Sequence, residues 1–230
     1  GSLDSKIEVS KNFAGDKLLL LDGSAITLSD EDLVISNGSK PLCLAGIMGG
    51  MESGVTKETT NVFLEAAYFN PVRIRKSAKR HQVKSDSSYR FERGVDPNGT
   101  EFAMKRAVNL ILEIAGGSAK SNIQTIQNVD FPAFEVSFRY SVCVKVVGMH
   151  IPKESIDLIL KALDIEIIAV SEDELLLKVP PFRVDVKRES DIIEEILRVF
   201  GYNNITIPSS VNSSIVWQEK LPQEKSQQLI

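Results

Sequence analysis

A chain of 230 residues has room for one large or two ordinary domains, and a hydrophobic content of 43% can fill real cores, which excludes a disordered or fibrous protein. A formal net charge of −4 excludes a wholly basic nucleic-acid binder but leaves room for a local basic patch. Two cysteines far apart in apolar runs, Cys43 and Cys143, suit reduced buried thiols and a cytoplasmic setting better than a disulfide framework or a metal knuckle. No run is long enough for a membrane span. The Gly1-Ser2 start, without an initiator methionine or a signal region, reads as an expression remnant ahead of a cut, so the chain reads as an excised piece.

In chain order, "KLLLLDGSAITL" and "DLVISN" are short β-rich runs punctuated by Asp22-Gly23 and Asn37-Gly38, which predicts antiparallel strands. "PLCLAGIMGGMESGV" then sets Gly46, Gly49 and Gly50 after an apolar run, and "NVFLEAAYF" predicts a further strand interrupted by Glu65. Asn70-Pro71 is a cap and first-turn pair for a helix running to about Arg80. A second helix is expected from Pro97 to Ala115, ended by Gly116-Gly117. The pattern weakens through "GSAKSNIQTIQNVDFP", which places a domain boundary near residue 130. Beyond it, "EVSFRYSVCVKVVG" reads as a strand, "PKESIDLILKALD" as a helix opened by Pro152, and "IEIIAVSEDELLLKVP" as two strands around a Ser-Glu-Asp turn. A last helix spans about Ser190 to Phe200, with Ser190 as its cap; the polar stretch 208–230 reads as a linker. The expected organisation is α+β throughout, in units 3–128 and 131–207.

Four groups of residues carry possible chemistry, each with a plain structural rival. Asp185, Asp191, Glu194 and Glu195 can converge as hard oxygen ligands, yet magnesium needs only one or two protein carboxylates, and spacing alone favours a solvated acidic face. The glycines lack both the Gly-Lys-Ser/Thr ending and the dinucleotide spacing, so they serve close backbone approach, to another strand or to a small ligand. The first long helix carries Arg73, Arg75, Lys76, Lys79 and Arg80, a face that suits RNA phosphates or simply solvent. Neither His81 nor His150 has an evident partner, and no Ser-His-Asp or Cys-His pattern marks a nucleophile. The stretch "KSDSSYRFERGVDPNG" packs three serines and an aspartate into positions 85–88, followed by alternating charge around Gly94.

Three runs, "LAGIMGGMESGVTKETTNVFLEAAYFNP", "SDSSYRFERGVDP" and "PPFRVDVKRESDIIEEILRVFGYNNI", closely resemble the beta subunits of bacterial phenylalanyl-tRNA synthetases, over nearly the whole chain from about Leu3 to Ile207. The resemblance implies the carboxyl-terminal portion of a mixed α/β tRNA-editing domain, amino-terminally truncated, followed by a small winged-helix-like α+β domain. It also implies hydrolysis of tyrosine misattached to the phenylalanine tRNA, with aminoacylation in an alpha subunit and an alpha2beta2 assembly. An apolar amino-acid pocket discriminates weakly against one added hydroxyl, which is why a second, hydrolytic site is useful.

By the same resemblance, Glu65 matches a strand glutamate that contacts the tyrosine phenol, with a salt bridge to Arg90 or Arg93 as its structural rival. Gly46 and Gly49 match pocket positions left open for the aromatic ring. Ser85-Asp86-Ser87-Ser88 stands where the family usually has Thr-Asp-Ala-Ser, so Ser85 keeps a hydroxyl able to hold substrate or water and Ser87 adds one that can alter selectivity. Hydrolysis is then by a positioned water, without a protein nucleophile. A histidine that lines the family pocket lies upstream of this start, so the excised piece is expected to edit weakly or not at all. Asp185, Asp191, Glu194 and Glu195 match carboxylates assigned to Mg2+ near the alpha subunit; ATP is used by the whole enzyme and is not expected to bind here. The alternative is a noncatalytic scaffold and tRNA-binding module whose editing has decayed, with no membrane association in either case.

Overall fold

The computed structural model describes residues 6–206; the expected linker 208–230 lies outside them. Four short antiparallel strands, β1 (Glu8–Ser10), β4 (Val34–Ser36), β5 (Pro41–Leu44) and β6 (Met48–Gly49), form one sheet in the order β1-β4-β5-β6. Beside it stands the hairpin β2 (Lys17–Leu19) and β3 (Ala25–Thr27). Its turn is chemically determined: Gly23 has φ of +84°, and Asp22 accepts hydrogen bonds from both the amide and the hydroxyl of Ser24, at 2.9 and 2.6 Å. Asn37 does the same between β4 and β5, accepting from the Ser39 and Lys40 amides.

Helix α1 (Pro71–His81) is the expected one. The Asn70 side chain accepts from the Val72 and Arg73 amides, a cap worth about 1 kcal/mol. Its buried residues Ile74, Ser77 and Ala78 share one face and close the first core over Leu18, Leu20, Val34 and Leu44. The short α2 (Asp86–Phe91) follows, capped by Ser85, and then α3 (Thr100–Ala115), none of whose residues is buried. Residues 116–133 contain no helix or strand.

The second core is separate. β7 (Phe134–Arg139), β9 (Glu174–Val179) and β8 (Glu166–Val170) pair antiparallel in the order β7-β9-β8, and α4 (Tyr140–Val147), α5 (Lys153–Ala162) and α6 (Glu189–Phe200) pack around Phe138, Leu160, Leu175 and Leu177. Ile192, Ile193 and Ile196 of α6 are fully covered, each contributing about 1.5–3 kcal/mol by leaving water. The molecule is therefore α+β, as expected from the sequence.

Three local expectations change. The run after Phe134 is strand only as far as Arg139; "YSVCVKVV" is helical, with Tyr140, Cys143 and Val147 buried at helical spacing. The cause lies far along the chain: in the β8–β9 turn, the Asp173 carbonyl accepts from the Tyr140 amide and its carboxylate from the Ser141 amide at 2.9 Å, which ends the strand and starts the helix despite the β-branched residues. Ser190 is not the cap of α6. Asp191 reaches back instead, accepting from the Lys187 and Arg188 amides at 3.1 and 2.9 Å. Finally, 61–69 is not a strand, and among the described residues its backbone makes no backbone hydrogen bond. With Val62 and Phe63 more than half exposed, the segment has strand-like composition without a neighbouring strand to pair with.

Candidate functional site

A groove of about 760 Å³ lies between β2, β5 and the segment 50–65. Leu18, Ile35, Cys43, Val62 and Phe63 supply its apolar wall; Asp16, Lys17, Lys40, Glu52 and Glu65 supply its charge. Glu65 has a large exposed area, yet protein crowds its carboxyl, and that desolvation raises its pKa above the ordinary glutamate value. Among the described residues it has no hydrogen bond or ion pair. The salt bridge to Arg90 or Arg93 is not formed: Arg93 pairs with Glu92 at 2.8 Å, donates to the Tyr89 carbonyl and lies 3.6 Å over the Tyr89 ring. Burial, with the nearby Glu65 charge added, pushes the Cys43 thiol up to about 12, so this sulfur is a poor nucleophile. The Cys143 thiol is likewise raised by burial.

Gly46, Ser85 and Ser87 meet at a second place. Gly46 has φ of +68°, and a Cβ there would come within 2.6 Å of the Phe69 ring and 2.8 Å of Ile74, so the space expected for a ligand is filled by the protein's own side chains. The Ser87 hydroxyl donates to the Gly46 carbonyl at 2.9 Å, and that of Ser85 to the Ile47 carbonyl at 2.6 Å. Ser85 also accepts from the Ser88 amide at 3.0 Å, capping α2. Gly49 pairs with Cys43 across β5–β6 and lies under Leu21. None of Gly46, Gly49, Ser85 and Ser87 lines the groove that contains Glu65.

The basic face of α1 divides. Arg73, Arg75, Lys76 and Lys79 are exposed, with no ion pair among the described residues. Arg80 is different, bridging Asp32 at 2.7 Å and Glu31 at 2.9 Å. Asp32 is fully buried and also accepts from the Ser77 hydroxyl at 2.7 Å and the Ser29 amide at 2.8 Å, while His81 Nε2 lies 2.6 Å away. Burial pushes its carboxyl up, but the hydrogen bonds from Ser77, Ser29 and His81 outweigh burial and leave it below the usual range. His81 thus has a partner that sequence reasoning missed. The side-chain partners of Asp32 on α1 lie more than forty residues on.

Two of the four acidic residues are engaged by the protein itself. Asp191 caps α6, and Glu195, nearly buried, is held by Arg183 at 2.9 Å and Arg198 at 2.5 Å. Asp185 and Glu194 are exposed. Among the described residues no group of three or more His, Cys, Asp or Glu is placed to hold a metal ion.

Residues 2–116 match the family model of the B3/4 domain, and residues 136–202 that of the tRNA synthetase B5 domain. The chain belongs to the phenylalanine-tRNA ligase beta-subunit family. It is 43% identical over 201 residues to the phenylalanine-tRNA ligase beta subunit of Bacteroides fragilis, covering 87% of this chain and 24% of that protein. The subunit of Porphyromonas gingivalis is 41% identical over 212 residues, covering 91% and 26%, and that of Geobacter metallireducens 39% over 202 residues, covering 88% and 25%. The chain thus spans about a quarter of the length of these ligase subunits. No described helix is long and apolar enough to cross a membrane.

Proposed function

We propose that this chain forms part of the hydrolytic editing surface of a phenylalanine-tRNA ligase, removing tyrosine wrongly attached to the phenylalanine tRNA. The observation that carries the reading is Glu65, a carboxylate with no hydrogen bond or ion pair among the described residues, set in a partly apolar groove large enough for an aromatic side chain. A tyrosine phenol can donate to it; phenylalanine offers nothing in that place, and a site built to receive a hydroxyl discriminates far better than an apolar one. Attack on the ester is by water, positioned in the groove and assisted by the substrate's own hydroxyls. The alpha partner, the phenylalanine tRNA, ATP, Mg2+ and a cytoplasmic setting belong in this reading to the whole enzyme.

The test is deacylation of tyrosyl-tRNA for phenylalanine by the full-length subunit with its alpha partner, comparing native protein with Glu65→Gln and using the phenylalanyl form as control. Selective hydrolysis lost in the variant is the expected result; an unaffected variant would remove Glu65 from the reading. A second reading, a noncatalytic tRNA-binding scaffold, is favoured by the exposed cations Arg73, Arg75, Lys76 and Lys79. Absent hydrolysis by native enzyme with retained tRNA binding would select it.

A further inference from the structure

The hydroxyls of Ser85 and Ser87 point at the protein itself. Both sit in the first turn of α2 or at its cap, and they donate to consecutive carbonyls, Ile47 and Gly46, in the tight turn between β5 and β6. That turn is closed by the Ile47 amide donating to the Leu44 carbonyl at 3.0 Å. Its Gly46 rests on Phe69, and Phe69 in turn meets Phe91 of α2 edge to face, with ring centroids 5.2 Å apart. Phe69 is four residues beyond Glu65, at the root of a segment that makes no backbone hydrogen bond among the described residues. The position of Glu65 must therefore come from packing, and α2 holds that packing twice: through Phe91 on Phe69, and through two serines on the turn beneath Phe69.

We propose that Ser85 and Ser87 are positioning residues, which fix the Glu65 segment through the Gly46-Ile47 turn without touching the substrate. This rests on the editing reading, and it reassigns the extra hydroxyl at 87. Where an alanine would leave the Gly46 carbonyl without this donor, Ser87 supplies a second tether beside that of Ser85. A carbonyl that receives a hydroxyl donor at 2.9 Å is held in one orientation, and a left-handed glycine has little else to hold it.

The experiment uses the full-length subunit with its alpha partner for deacylation and the 230-residue chain for amide hydrogen exchange. Ser87→Ala is expected to lower kcat for tyrosyl-tRNA deacylation about fivefold, the size of one net hydrogen bond, with KM unchanged. Ile47 amide exchange is expected to accelerate by a similar factor while exchange in β9 and α6 stays as in native protein. Ser87→Thr, which keeps the hydroxyl, is expected to restore both. A raised KM with unchanged Ile47 exchange would make Ser87 a substrate contact and overturn the proposal, as would unchanged exchange and kcat together. If native enzyme hydrolyses nothing, the editing reading fails on its own; the exchange comparison still decides whether Ser87 holds the turn, and no change there sinks it.

Discussion

His81 Nε2 lies 2.6 Å from the carboxylate of Asp32, a residue with no exposed surface, and the two come from positions forty-nine apart in the chain. With Ser77 and Arg80 on the other oxygen, this carboxylate ties α1 to the loop before β4. Asp32→Asn is expected to destabilise the chain by about 2–3 kcal/mol, because it removes a charged acceptor and leaves buried donors mismatched. Glu31→Gln, which alters only the exposed half of the Arg80 fork, is expected to change stability by less than about 0.5 kcal/mol. Urea unfolding of the two variants beside native protein checks both values. The pH dependence follows from the lowered folded pKa: the contribution of Asp32 is present above the ordinary aspartate value of 3.8 and is lost as pH falls through the lower folded one.

Glu65 has the opposite sign. Its folded pKa is raised, so its contribution to stability is fully present below the ordinary glutamate value of 4.5 and is lost as pH rises through the folded pKa. Glu65→Gln is therefore expected to be more stable than native chain at pH 7 and to lose that advantage below about pH 4. Thermal unfolding at the two pH values is the measurement; equal differences at both would contradict the desolvated carboxyl.

Asp173 is expected to matter for a helix it does not belong to. Asp173→Ala removes the carboxylate that receives the Ser141 amide and hydroxyl at the start of α4, at a cost of about 1 kcal/mol. Amide exchange should accelerate first at Ser141 and its neighbours, before β9 is affected.

The cations of α1 should separate by role. In the full-length subunit with its alpha partner, Arg75→Ala and Lys76→Ala are each expected to flatten the salt dependence of tRNA binding by roughly 0.7–0.9 in the logarithmic slope if they meet phosphates. Arg80→Ala should lower the melting temperature instead, since its guanidinium is already held by Asp32 and Glu31. Filter binding across a salt series and a melting curve distinguish the two outcomes.

Much of this fold could be read from local chemistry. Asn70-Pro71 announced α1, Asp22-Gly23 and Asn37-Gly38 announced their turns, and the apolar pattern from about Ser190 to Phe200 announced α6. The errors arose where a contact outside the local pattern overrides a local preference. Asp173 converts a β-branched run into α4, Asp191 takes the capping role from Ser190, and the absence of a partner leaves 61–69 outside any sheet. The arrangement of the candidate residues was not legible. That Ser85 and Ser87 face the Gly46-Ile47 turn while Glu65 faces the groove depends on which way each side chain points, and no spacing rule carries that information.

The unpaired segment around Glu65 also bears on solubility. "NVFLEAAYF" is apolar and aromatic, has amides and carbonyls without backbone partners among the described residues, and carries a single charge, at Glu65. Such a run is a template for edge-to-edge pairing between molecules, and a charge at its centre is the usual protection. Glu65 is thus a gatekeeper as well as a candidate reader of tyrosine. Replacing it with glutamine or alanine would leave nine uncharged residues primed to self-associate, so the deacylation comparison is made on variant protein shown to be free of aggregates.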